Sequence, residues 1–136
     1  MQAPFPPAAA AWLLGAVLSA GSLFVGADFI GVMLPGGVPL GNVLAAAVFC
    51  GLAGAAVALA PRGSRSRTVA LGALAGSVGW LPLSIALAGN ATLNFSGQRG
   101  TLWLWLSAGL LIVVMATLLL AAGASYLARR RAGGAA

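Results

Sequence analysis

Long apolar runs, interrupted by three short polar stretches, make up most of the chain. A helix that crosses a bilayer needs about 20 mostly apolar residues. Four runs meet that length, over residues 8–30, 40–60, 68–88 and 102–127. The fourth is the most apolar, with Leu110-Leu111-Ile112-Val113-Val114-Met115 at its middle. No charge sits near the centre of any run. The breaks are turn-forming or polar. Residues 31–39 hold Pro35-Gly36-Gly37 and Pro39, residues 61–67 read Pro-Arg-Gly-Ser-Arg-Ser-Arg, and residues 89–100 hold Asn90, Thr92, Asn94, Ser96, Gln98 and Arg99. The pattern predicts an all-α membrane protein with one domain over residues 1–136, four transmembrane helices in an up-down bundle, and a disordered tail over 132–136.

The arginines orient that bundle. Arg62, Arg65 and Arg67 lie in the second break, and Arg129, Arg130 and Arg131 follow the fourth run. With four spans these six fall on one side, together with the N-terminus. The positive-inside rule makes that side the cytoplasm, so the six act as topology anchors and both termini are expected to be cytoplasmic. Trp103 and Trp105 at the start of the fourth run and Tyr126 at its end fit the two interfaces, where amphipathic rings prefer to sit. The first run is read as a span and not a cleaved signal peptide, because residues 1–7 carry no basic residue.

Lipid gives helices no hydrophobic reason to associate, so small residues that let backbones approach are the expected packing device. The third run offers Gly72-x-x-x-Gly76, and the second offers Gly51-x-x-x-Ala55 and Gly54-x-x-x-Ala58. Ser22-x-x-x-Gly26 is the corresponding row in the first run. The fourth run, with Leu118-Leu119-Leu120, is expected to face lipid. Pro82 interrupts the hydrogen bonding of the third run and should kink it. Ser77 and Ser84 lie close enough along the chain to bond nearby backbone carbonyls.

Composition narrows the chemistry. The chain is 61% hydrophobic and 6% charged, against roughly 25% charged in an ordinary soluble domain. It has seven basic residues, all Arg, one acid, Asp28, no His and one Cys, Cys50. No Lys is available for a Schiff base, and no imidazole for haem or zinc. One carboxylate makes no acid/base pair, and one thiol makes no internal disulfide. No enzyme activity, cofactor or metal is expected. The net charge of +6 suggests nucleic acid at first sight, but the arginines cluster beside apolar runs, so no nucleic-acid partner is expected. The Arg-only, Ala- and Gly-rich composition points to GC-rich coding sequence and the plasma membrane of a bacterium, with the lipid bilayer as the first partner and a second copy or a larger membrane complex as the next. Arg129 to Arg131 also suit contact with anionic lipid or with a partner protein.

Asp28 has three readings: a solvated interfacial residue, an ion pair with Arg99, or a proton- or cation-coupling site if it lies deep in the membrane. The outer stretch 89–100 carries two glycosylation-type triplets, Asn90-Ala91-Thr92 and Asn94-Phe95-Ser96, which we read as Asx and Ser turns. Four short spans, a basic central loop and Ser66-Arg67-Thr68 at the start of the third run resemble a family of small uncharacterised actinobacterial membrane proteins. That resemblance implies a four-helix membrane protein. The size is also similar to that of small multidrug transporters, but those depend on a membrane-embedded Glu, which this chain lacks. The reading carried forward is a non-catalytic accessory or structural component of a membrane assembly. The alternative is an oligomeric small transporter or channel with Asp28 as its coupling site.

Overall fold

The computed structural model describes residues 5–25, 31–88 and 97–134. Its elements are α1 (Pro7–Val25), β1 (Met33–Leu34), β2 (Val38–Pro39), α2 (Leu40–Leu59), α3 (Arg65–Ala88) and α4 (Gly97–Gly133). Among the described residues, all four helices are long and apolar enough to cross a membrane.

The turns follow from their residues. β1 and β2 pair antiparallel, Leu34 with Val38 and Met33 with Pro39. Gly37 N donates to Leu34 O at 3.0 Å, Pro35 takes the second turn position and Gly36 the third with φ of 89°. That is the residue pattern of a type II turn, in which positive φ favours glycine. The α2–α3 turn repeats it. Ser64 N donates to Pro61 O at 3.2 Å, with Gly63 at φ of 75° in the third position. Ser64 then caps α3, its Oγ accepting from Arg67 N at 3.2 Å. This cap is why α3 starts at Arg65, three residues before the apolar run.

Between α2, α3 and α4 the core is layered. At the end nearest the α2–α3 turn, Ala56, Ala60, Ala70 and Ala121 are buried together, flanked by Leu118. The next layer joins Ala53, Ala73 and Val114. Beyond it Ala46, Phe49 and Trp80 pack with Trp103, Leu106 and Leu110. α2 touches all three other helices. Outward-facing side chains are large and apolar: Phe24 is 89% exposed and Leu119 69%.

A close backbone approach lies between α1 and α2. A Cβ at Gly51 would fall 2.7 Å from Ala16 Cβ and 2.8 Å from the Trp12 carbonyl oxygen, and one at Gly54 would enter the Trp12 indole. Ala55 is fully buried beside them in sequence. The α3 glycines differ from expectation. Gly72 has nothing within 4 Å, and a Cβ at Gly76 would meet only Leu110 Cδ1 at 3.8 Å. The gap between α3 and α4 is filled by Leu110 and Val114, so backbones do not close there.

Helix limits also move. α4 begins at Gly97 and runs to Gly133, into the stretch expected to be a disordered tail. Gln and Arg are good helix formers, and no Pro stops either end. α3 continues through Pro82. The Ser77 hydroxyl donates to Ala73 O at 2.8 Å and Ser84 Oγ to Leu81 O at 2.8 Å.

The contrast between the two glycine rows is testable by unfolding titrations in mixed micelles. Gly51→Val is expected to lose about 1–3 kcal/mol through overpacking. Gly72→Ala is expected to change stability by less than about 1 kcal/mol, in the stabilising direction, because Ala is the better helix former. Equal losses would mean that α1 does not lie on α2 as described.

Candidate functional site

A polar side chain inside an apolar bundle needs a partner, because an unbonded donor or acceptor there is costly. Asn42, in the first turn of α2, is fully buried. Its Nδ2 donates to Ser84 Oγ on α3 at 2.9 Å. About one turn earlier on α3, Trp80 Nε1 donates to Ser107 Oγ on α4 at 3.1 Å. Ser107 passes the chain on, donating to Trp103 O at 2.7 Å. Phe49 stands edge-on to Trp80, with ring centroids 5.1 Å apart at 75°. Trp103 lies tilted at 6.0 Å on the other side. These residues tie three helices with neutral hydrogen bonds and ring contacts. They fix geometry, and they offer neither a nucleophile paired with a base nor an exchangeable charge.

The second feature is an open groove of about 610 Å³ between α1 and α2. Ala8, Ala11, Trp12, Gly15 and Ser19 line it from α1, and Ala47, Cys50 and Gly51 from α2. Only Trp12, Ser19 and Cys50 bring a side-chain heteroatom. Gly15 has nothing within 4 Å of where its Cβ would stand. The α1 positions recur every three or four residues and so share one helix face.

The arginines form the third feature. Arg67 turns back to α2, Nη1 donating to Val57 O at 3.0 Å, and so satisfies a carbonyl of α2's last turns. Arg62, Arg65, Arg129, Arg130 and Arg131 are exposed. The Arg130 guanidinium lies 5.6 Å from the centre of the Tyr126 ring, within cation–π range.

Of the residues singled out from sequence, Gly51 and Ala55 sit at the heart of the bundle, while Gly72 and Gly76 do not. Asp28 lies outside the described residues. Arg99 belongs to the first turn of α4, and its side chain lies outside them too. Of the two tryptophans read as interfacial, Trp105 is 72% exposed and Trp103 packs into the aromatic layer. Sequence reasoning missed Asn42 and Trp80. The signal for Asn42 was available, since it is the one carboxamide in the four apolar runs. Trp80 gave none, because a lone Trp in an apolar run reads equally well as lipid-facing.

No family model matches the chain, and neither a curated protein nor a solved structure matches it.

If Asn42 and Ser84 serve each other, their removal is coupled. Asn42→Ala and Ser84→Ala are each expected to cost about 1 kcal/mol, and the double variant little more than either, a coupling of about 0.6 kcal/mol or above. Strict additivity in a double-mutant cycle would show that the bond carries no stability.

Proposed function

We propose that this chain is a small non-catalytic integral membrane protein that acts as a structural component of a bacterial membrane assembly. Its four helices span the bilayer as an up-down bundle with both termini in the cytoplasm. The groove between α1 and α2 is where a neighbouring transmembrane helix docks, and the first occupant is a second copy of the chain.

The carrying observation is the groove's lining. Helices associate in lipid through close packing over small residues. On α1 the face made by Ala8, Ala11, Gly15 and Ser19 stands open beside Ala47, Cys50 and Gly51. A bulky lipid-facing surface serves elsewhere, as at Phe24 and Leu119. An open face of small residues is where another backbone comes close. The interior polar groups support a structural role as well, since Asn42, Ser84, Trp80 and Ser107 are engaged in holding helices together.

Gly15→Leu puts a bulky side chain into the groove at a position where a Cβ meets nothing within 4 Å. In nanodiscs, subunit counting by single-molecule photobleaching is expected to give more than one copy for the wild type and one for Gly15→Leu. The unfolding midpoint of single copies should not fall, because Leu is a better helix former than Gly. A wild type found as single copies, or an unaltered count in Gly15→Leu, would overturn the docking role.

A further inference from the structure

We propose that the α2–α3 turn and the last turns of α4 together form a binding surface for the headgroups of anionic phospholipids. This rests on the membrane reading above, and is independent of the groove.

Two sequence-distant arginine clusters come to one end. Ala70 and Ala121 share the alanine layer. At 1.5 Å rise per residue, Arg65 lies about 7 Å along α3 from Ala70, and Arg129 to Arg131 lie about 12–15 Å along α4 from Ala121. Both run toward the α2–α3 turn, where Arg62 stands. The alanine layer belongs to the apolar bundle, so these distances put the guanidinium groups at headgroup level. The polar zone on each side of the hydrocarbon is several ångströms thick. Exposed Tyr126 is at the same level, beneath Arg130, and tyrosine favours that zone.

The arginines are not equivalent. Arg67 is half-buried and spends a donor on Val57 O. Arg62, Arg65, Arg129, Arg130 and Arg131 are exposed. The one acid in the sequence, Asp28, stands between α1 and α2 in the chain, so the α2–α3 turn and α4 carry no acidic side chain. Like charges gathered at one end of the bundle repel wherever they come within a Debye length, about 8 Å in physiological salt. Phosphate relieves that repulsion, and guanidinium pairs with it through two donors at once. A membrane lipid supplies the phosphate at the depth where the arginines sit. A soluble acidic protein would have to reach into the headgroup layer to do the same.

The test uses the full chain, reconstituted in vesicles of phosphatidylcholine with or without phosphatidylglycerol, then released for native mass spectrometry of retained lipid. Co-flotation with the phosphatidylcholine vesicles tests the membrane reading alone. Lipid preference tests the proposal. Phosphatidylglycerol is expected to be retained over phosphatidylcholine, with a loss of up to about fivefold for each exposed arginine removed. Arg62→Gln with Arg65→Gln, and Arg129→Gln with Arg130→Gln and Arg131→Gln, should each cut the preference, and all five together should abolish it. Arg67→Gln should cut it less than Arg62→Gln, and lower the unfolding midpoint instead. Millimolar inorganic phosphate should not displace the lipid. Equal retention of the two lipids, preference surviving loss of the five arginines, or displacement by free phosphate would each overturn the proposal.

Discussion

Hydrocarbon gives apolar side chains no reason to prefer one another over lipid. In the membrane setting proposed above, a bundle that presents Phe24, Ile112 and Leu119 to its surroundings has to be held by something other than apolar area. Two fastenings meet the constraint. Where α1 crosses α2, glycines let the Trp12 ring and backbone come up against α2 itself, and dispersion over short distances replaces the hydrophobic effect. Where α2, α3 and α4 meet, Asn42, Ser84, Trp80 and Ser107 share hydrogen bonds for which lipid offers no substitute. α2 takes part in both, which is why half of it is buried while α1 and α4 are mostly exposed.

The same division shapes what the protein is able to do. The polar knot spends hydrogen bonds on structure, and its members are neutral. The open face of α1 is different in kind, because its small residues next to α2 leave room for a backbone. The arginine end is different again, holding positive charge that the rest of the chain does not balance. Proposed docking belongs to the α1 face and lipid selection to the arginine end, and they call on different residues.

Much of the architecture was legible in the sequence because length and apolarity carry it. Four runs became four helices, and Pro35-Gly36-Gly37 became a turn with two very short strands beside it. Packing faces were less legible. With 20 glycines in the chain, four-residue spacings of small residues arise in several places, and spacing cannot say what stands opposite. Gly51 and Gly54 matter because Trp12, on another helix, fills the space they leave. Gly72 has the same spacing and no such neighbour. Helix ends were misjudged for a related reason: the apolar run ends where polarity begins, whereas α3 begins at its serine cap and α4 continues through three arginines.

The central claim is that four helices cross the bilayer in alternation, with the arginine end inside. In a Cys50→Ala background, single cysteines at Val32, Ser64, Gln98 and Ala132 sample the first two connections and the two ends of α4. Intact cells treated with a membrane-impermeant maleimide are expected to label Val32→Cys and Gln98→Cys. Ser64→Cys and Ala132→Cys should label only after permeabilisation. Labelling of Ser64→Cys or Ala132→Cys in intact cells, or of neither Val32→Cys nor Gln98→Cys, would contradict the account.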